Sequence, residues 1–295
     1  MNAAALNPVA ACTEEAAIDL SPGGVDATLG QGVAQACGMR SCLGRWWRYG
    51  ALILLVLSAA APAFADQEHD RSALLKLVEG ACARDSDRAI VPPCVRRDKR
   101  PGFRSAVLKD MRGQYQYLLV PLDVVRGMDD PQLLSAQLPN YFAQAWQARS
   151  FVEAAAGRRI PRAFMSLAIN SAHGRSQDQL HIHIDCVSPD ADRVLERLRP
   201  WRYAHGWRDL RPTLAGHHYR VRHLAGAALP DLFALLALDV KPDRTMGDRS
   251  LVVVGDVDRK GAPGFWLLSG QVDAATQDRA SGEELQDHQC SILEQ

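Results

Sequence analysis

The chain has 295 residues, and its 34 Lys and Arg are balanced by 34 Asp and Glu, so its formal net charge is zero. A balanced charge gives no electrostatic reason to bind a polyanion, and we expect no nucleic-acid partner. Hydrophobic residues make up 47% of the chain, which suits one good-sized globular domain or two small ones.

The N-terminal part carries the pattern of an export signal. A basic segment is followed by a short apolar run, residues 51–65, that ends in Ala63-Phe64-Ala65. This predicts cleavage after Ala65, with a retained membrane anchor as the alternative. We predict that the native start is Met39, that residues 1–38 are a non-native or disordered extension, and that residues 39–65 are the signal peptide or anchor. Residues 66–295 would then fold in the periplasm or on the periplasmic face of the inner membrane.

Apolar spacing and turn residues define the elements of the first half. They predict, in chain order, a helix over 72–82, a loop over 85–102, a hairpin of strands 105–110 and 114–121, a helix from Asn140 to about Gly157, and a strand over 163–170. Asn140 is expected to cap its helix, with Phe142, Ala145 and Trp146 facing inward.

Polar and apolar side chains alternate over residues 179–186, which is the period of a half-buried strand. The apolar face would carry Leu180, Ile182, Ile184 and Cys186. The polar face would carry Gln179, His181, His183 and Asp185. A hairpin with the preceding strand would bring Asn170 near His181.

The second half shows further helices and strands. It predicts a helix over 192–199, strands over 218–224, 251–255 and 265–268, a helix over 230–240 with Pro230 in its first turn, and a last helix after a capping box of Ser281 and Glu284. No internal repeat is visible. The sum is a single-domain α+β fold in which helices pack on an antiparallel β-sheet.

Arginines and tryptophans concentrate in residues 193–211. Basic residues with interfacial tryptophans suit a surface that rests on anionic lipid. An ordinary solvated helix and loop would have the same composition. Both interpretations stay open from sequence.

The exported part keeps four cysteines, and an even count fits two disulfides in an oxidising compartment. Sequence alone allows three pairings. We favour Cys82–Cys94, which closes a short local loop, and Cys186–Cys290, which would tie the histidine strand to the C-terminal segment.

Two imidazoles on one strand face suit phosphoryl or nucleotidyl transfer, because a neutral imidazole can carry such a group covalently. Asn170 and Gln177 could hold phosphate oxygens, with Arg175 and Ser176 donating further hydrogen bonds. Metal binding by His181 and His183 is the alternative, and zinc would need a third ligand. The candidates for that ligand are Asp185, His173, His205, His217 and His218.

Several stretches resemble the histidine-triad (HIT-like) superfamily and, more closely, its bacterial membrane-associated CDP-diacylglycerol pyrophosphatases. They are Val107-Leu-Lys-Asp110, Gln116-Tyr-Leu-Leu-Val-Pro121, Pro139-Asn-Tyr-Phe142, Ser166-Leu-Ala-Ile-Asn-Ser171, Gly174-Arg-Ser-Gln177, His181-Ile-His183, Gly216-His-His-Tyr219 and Asp287-His-Gln-Cys290. The resemblance spans nearly all of the exported chain, from Cys82 to Cys290.

The resemblance implies a HIT-like fold and a hydrolase that cleaves CDP-diacylglycerol to CMP and phosphatidate through a nucleotidyl-histidine. His181 would be the nucleophile and His183 its assistant, while Asn170 and Gln177 match phosphate-binding residues and Asp110 matches a ribose contact. A HIT-like hydrolase of another nucleoside pyrophosphate and a periplasmic His-based metal-binding protein are the alternatives.

Two departures from the superfamily pattern concern the polar stretch before His181. Gln179 stands where the first triad histidine is expected; it can orient a neighbour but cannot shuttle a proton. Gln177 precedes the nucleophile by four residues, two fewer than usual. The membrane surface is expected as a partner, and no metal or other cofactor is expected.

Overall fold

The computed structural model describes residues 70–295 apart from residues 136, 203–205 and 242–243. The predictions for residues 1–38 and 39–65 therefore lie outside the described residues. Within the described ranges, no helix combines the length and apolarity needed to cross a bilayer.

The described chain is organised around one antiparallel sheet of ten strands. The strands are β1 (Cys94–Asp98), β2 (Ser105–Lys109), β3 (Tyr117–Pro121), β4 (Met165–Ile169), β5 (Ile182–Val187), β6 (Arg208–Asp209), β7 (Tyr219–Ala225), β8 (Leu251–Val257), β9 (Pro263–Gly270) and β10 (Gln286–Asp287). Their order is β1-β2-β3-β5-β4-β8-β9-β7-β6, and β10 pairs with the end of β5. The single-domain α+β prediction is confirmed.

Five α-helices accompany the sheet in the described ranges. They are α1 (Ala73–Gly80), α2 (Tyr141–Ala148), α3 (Ser150–Ala156), α4 (Pro189–Arg197) and α5 (Leu232–Ala237). The predicted cap is confirmed, since the Asn140 side chain accepts a hydrogen bond from the amide of Ala143. The helix predicted to reach Gly157 instead divides at Arg149 into α2 and α3. Asp231 caps α5, so Pro230 precedes that helix.

Two predictions named the wrong kind of secondary structure. The loop expected over 85–102 contains β1, which pairs with β2. The final helix is absent from the described C-terminus: 3-10 turns at 282–285 and 291–294 flank β10. The supposed capping box fails because Glu284 bonds to His217 and Tyr219. Tertiary contacts override the local pattern here.

Helices cover both faces of the sheet at its β1–β3 edge. On one face, α1 packs over Leu108 and Leu118 in a small core that also holds the Cys82–Cys94 disulfide. On the other face, α2 packs in the main core with Leu119 and Ile182. Leu118 lies opposite His183 in the register of β3 and β5. Cross-strand partners point to the same face, so the histidines lie on the α1 side.

The order of elements repeats, although the sequence shows no repeat. In the first half, β2 and β3 are followed by helices α2 and α3 and then by β4 and β5. In the second half, β6 and β7 are followed by α5 and then by β8 and β9. The two sets, β2-β3-β5-β4 and β8-β9-β7-β6, meet at the antiparallel pair of β4 and β8. The sheet therefore has approximate two-fold topology.

Candidate active site

Both histidines lie at the beginning of β5, where the sheet is covered on both sides. His183 pairs with Leu118 of β3 and Ala168 of β4, and the ring centroids of His181 and His183 are 5.0 Å apart. The side chains are nearly enclosed, with His181 8% and His183 4% exposed. The expectation of a half-exposed strand was wrong because residues of the C-terminal segment contact the polar face of β5.

The local backbone sets the tautomer of His181. Its Nδ1 lies 2.7 Å from the carbonyl oxygen of Gln179. A carbonyl can only accept, so Nδ1 carries the proton and donates it. Burial lowers the pKa of His181, and the ring is therefore neutral at pH 7. A neutral ring protonated on Nδ1 has its lone pair on Nε2, which makes Nε2 the nucleophilic atom.

His183 has the complementary arrangement. Its Nδ1 lies 2.5 Å from Nε2 of Gln116, an amide nitrogen that can only donate. The proton of a neutral His183 ring is therefore on its own Nε2. That atom is buried and has no hydrogen-bond partner among the described residues. Burial lowers the pKa of His183 to about 4. His183 is therefore a neutral donor, suited to a phosphoryl oxygen.

Glu283 brings a negative charge to the two rings from the far end of the chain. Its Oε1 lies 3.6 Å from Nδ1 of His183, and its Oε2 lies 3.5 Å from the amide nitrogen of Asn170. Burial opposes ionisation of Glu283, but hydrogen bonding from His288 lowers the pKa of its carboxyl. Gly282 permits this approach, because a Cβ there would lie 3.0 Å from the carbonyl oxygen of Ile169.

His288 connects Glu283 to Asp185. Its Nδ1 lies 2.8 Å from Oδ2 of Asp185, and its Nε2 lies 3.5 Å from Oε1 of Glu283. These hydrogen bonds to two carboxylates raise the pKa of His288 to about 10. His288 is therefore a cation at neutral pH that fixes Glu283 beside the neutral rings. We call the following group the histidine site: Gln116, Asn170, His181, His183, Asp185, Glu283 and His288.

The charge of His288 predicts a pH dependence of stability. Its folded pKa of about 10 exceeds the ordinary histidine pKa of 6.5, so its stabilising contribution is complete below about pH 6.5 and is lost as pH rises through 10. We expect His288→Gln to lower the melting temperature most at pH 6.5 and to have little effect above pH 10. Thermal denaturation across pH 6–10.5 measures this. His173→Gln, at an exposed histidine, is the control, and an equal deficit at all pH values would contradict the prediction.

The loop before β5 directs the side chains of Arg175 and Gln177, two of the predicted phosphate-binding residues, to protein partners. Arg175 is buried and is bonded to Asp129 at 2.5 Å and to Asp178 at 2.9 Å. The amide of Gln177 is engaged by α1, since its oxygen accepts from the amide of Leu74 at 2.8 Å and its nitrogen donates to the carbonyl of Asp70. In this arrangement both side chains hold the loop. Asp129, Leu74 and Asp70 are more than 40 residues away from these side chains, so local spacing did not reveal them as partners.

The other predicted phosphate-binding residues divide into two groups. Ser176 is exposed, and Gln179 is fully buried with its amide nitrogen donating to the carbonyls of Pro121 and Asp123. Gln179 thus orients His181 through its main-chain carbonyl. The side chain of Gln179 is bonded to the main chain of residues 121 and 123 instead. Asn170 and Asp110 lie nearer the rings: Asn170 accepts from the amide of Glu283, and the charge of Asp110 acts on His183.

Sequence reasoning missed Gln116, Glu283 and His288 as site residues. Gln116 and His288 were visible only inside the stretches of the family resemblance, and no pattern pointed to Glu283. The metal alternative named Asp185 as a third ligand, but Asp185 is bonded to His288. The one cluster of three possible ligands found in the described ranges is Asp185 with Cys186 and Cys290. Those cysteines form a disulfide and offer no thiolate.

Residues of the arginine-rich segment 193–211 form more contacts within the protein than the composition of the segment suggests. Arg202 is buried and pairs with Asp256, which removes it from the predicted lipid surface. Arg193 and Arg199 pair with acidic neighbours on the same helix and turn. Trp207 packs against the main core. His205, a further candidate ligand, lies outside the described residues.

Comparisons with known proteins show the family of this chain. The family model described as CDP-diacylglycerol pyrophosphatase matches residues 69–294. A curated protein of Yersinia pestis with the same description is 39% identical over 258 residues, which cover 84% of this chain and 96% of that protein. The family match includes every member of the histidine site.

Proposed function

Since this chain belongs to the CDP-diacylglycerol pyrophosphatase family and hydrolyses CDP-diacylglycerol, we propose that the reaction passes through CMP bonded covalently to His181. The observation that carries the proposal is the hydrogen bond from Nδ1 of His181 to the carbonyl of Gln179. It leaves the lone pair of a buried neutral imidazole on Nε2, in the protonation state that a nucleophile needs.

In the first step, Nε2 of His181 attacks the phosphorus of the CMP moiety. The N–P bond forms while the bond from that phosphorus to the bridging oxygen breaks. Phosphatidate leaves with the electron pair as a phosphate monoester anion. Such a leaving group is weakly basic and needs little protonation, which is why a glutamine at position 179 is compatible with the chemistry.

The covalent intermediate places positive charge on the His181 ring. The carbonyl of Gln179 accepts its Nδ1 proton, and the ionised Glu283 favours positive charge on this ring. In the second step, water attacks the phosphorus and the N–P bond breaks. His181 leaves as the neutral imidazole with its lone pair restored, CMP is released, and one proton passes to solvent.

His183 and Asn170 would hold the phosphoryl group during both steps. The proton on Nε2 of His183 is without a protein partner in the described part of the chain, so it can be donated to an oxygen on which charge develops. The amide of Asn170 lies beside Glu283 at the end of β4. Asp110, whose charge acts on His183, would contact the ribose.

We further propose that the reaction takes place at the periplasmic face of the inner membrane. Both predicted disulfides, Cys82–Cys94 and Cys186–Cys290, are present, and such bonds persist in oxidising compartments. The apolar run at residues 51–65 would export the chain or anchor it. The surface that meets the lipid excludes Arg202.

The decisive experiment is capture of the intermediate. His183→Ala protein is mixed with short-chain CDP-diacylglycerol, quenched in alkali, digested and analysed by mass spectrometry. We expect CMP on the peptide at His181, because removal of the phosphoryl-oxygen donor slows turnover without removing the nucleophile. His181→Ala protein treated in the same way should carry no CMP. Modification of another residue, or turnover by His181→Ala at the wild-type rate, would overturn the proposal.

A further inference from the structure

A cavity of about 720 Å³ lies at the start of β7 and the end of β9. Its wall carries charged side chains of both signs. The charged wall residues are Asp209, Arg220, Lys241, Arg244, Arg249, Asp273 and Asp278. None of these residues belongs to the histidine site. We call this space the arginine cavity.

Arg249 is the most unusual of these residues. It is 1% exposed, and its Nε is buried without a hydrogen-bond partner among the described residues. Burial lowers the pKa of Arg249, but a guanidinium stays protonated in proteins. A buried cation without a bonded counter-ion is costly. Because Arg249 lines the cavity, an anion inside the cavity would supply that counter-ion.

Neighbouring charges increase the demand for an anion. Arg220 and Arg244 both lie close enough to Arg249 to lower its pKa further. Asp239 and Asp248 favour the charged form of Arg249, but neither forms an ion pair with it among the described residues. Asp239 is bonded to Arg220, and Asp248 lies 3.4 Å from Nε2 of His173.

The three acidic wall residues each have a donor of their own. Asp209 pairs with Arg220 at 3.3 Å, Asp278 accepts from the amide of Ala280, and Asp273 accepts from the amide of Ala275. Guanidinium groups that share one cavity wall suit a phosphate, whose oxygens accept paired hydrogen bonds.

We propose that the arginine cavity binds a phosphate monoester or inorganic phosphate at a site separate from the histidine site. The two sites are connected by consecutive residues. Glu284 bonds to His217 and Tyr219, which line the cavity, while Glu283 contacts His183. An anion bound in the cavity is thus next to the segment that positions Glu283. Phosphatidate, the lipid product, is one phosphate monoester that could occupy it, and this choice of ligand rests on the proposed function.

The test is calorimetric titration of inorganic phosphate into the full chain. We expect binding to weaken at least about tenfold in Arg249→Gln, the loss of one or two charge-assisted hydrogen bonds. Lys241→Gln should also weaken phosphate binding. Because Lys241 is exposed, this substitution should leave the fold intact. His181→Ala should retain the binding, because the site is separate. Arg193→Gln, at an exposed arginine of α4, is the matched control and should bind as wild type.

A melting-temperature measurement gives a second readout. Phosphate should raise the melting temperature of the wild type and leave that of Arg249→Gln unchanged, because a ligand stabilises only the fold that binds it. Equal phosphate affinity in wild type, Arg249→Gln and Lys241→Gln would overturn the proposal. Loss of binding in His181→Ala with retention in Arg249→Gln would also overturn it.

The source of the phosphate is separated by displacement. If the lipid product is the ligand, short-chain phosphatidate displaces inorganic phosphate from the wild type and binds Arg249→Gln more weakly. If free phosphate is the ligand, phosphatidate does not displace it. Both results support the site and assign its ligand. Neither depends on the covalent intermediate, so failure of the proposed reaction path and failure of this site are distinguishable.

Discussion

Replacing His181 by Ala is expected to lower kcat for CDP-diacylglycerol by at least about 10⁴-fold, which is the size of the loss when an enzyme is deprived of its covalent nucleophile. The loss follows from the tautomer of His181. The hydrogen bond from its Nδ1 to the carbonyl of Gln179 leaves the ring's lone pair on Nε2, the atom that attacks phosphorus. His183 cannot substitute, because its Nδ1 is occupied by Gln116 and its Nε2 carries the proton. Release of CMP measures the rate.

The control for this substitution is His173→Ala. His173 is a histidine of the loop before β5 with an exposed side chain, and its removal should leave kcat within about twofold of wild type, the range expected of a surface substitution. Melting temperatures of both variants establish that they are folded. A His181→Ala enzyme within tenfold of the wild-type rate would mean that the nucleophile is water or another residue.

Opening the Cys186–Cys290 disulfide is expected to have the largest effect on stability. Its cysteines are 104 residues apart, and closing a loop of that length is worth about 4.7 kcal/mol of unfolding free energy in the chain-entropy treatment. We expect a double Cys→Ser variant to lose stability on this scale in urea unfolding. It should also lose activity in the folded state, because Cys290 holds the segment that carries His288 against β5.

The other disulfide provides a matched comparison. Cys82 and Cys94 are 12 residues apart, so removal of that bond should cost about 3 kcal/mol. It joins the turn after α1 to β1 within the small core of α1 and β1–β3, so its loss should lower stability with a smaller loss of activity per folded molecule. Equal activity losses in the two double variants would show that Cys290 does not support the histidine site.

What could be predicted from the sequence depended on how far apart the interacting residues are. The hairpin of β2 and β3, the cap at Asn140 and the disulfide between neighbouring cysteines are local, and periodicity or spacing predicted each of them. The pairing of β4 with β5 followed from one polar loop between two apolar runs. These features involve partners that are close in sequence.

The failures share the opposite property. Glu283 reaches His183 from 100 positions away, and the amide of Gln177 is taken by Leu74 from 103 positions away. The supposed capping box at Ser281 failed because Glu284 found partners in β7 and the turn before it. A side chain with two possible hydrogen-bond partners bonds to the partner that tertiary packing brings closer. Sequence spacing indicates only the partner that is near in the chain.

The two-fold topology of the sheet has a consequence for stoichiometry. The strand that corresponds to β5 in the second half is β9, which contains no histidine. The matching end of the sheet is closed: His223 packs edge-to-face against Trp266, and Asp256 is shared between His223 and Arg202 in a buried ion pair. A doubled scaffold thus retains a single reactive half among the described residues. Because CMP stays bonded to His181 until water attacks, each folded chain would accordingly give a pre-steady-state burst of one phosphatidate, not two, when hydrolysis of the intermediate is the slower step.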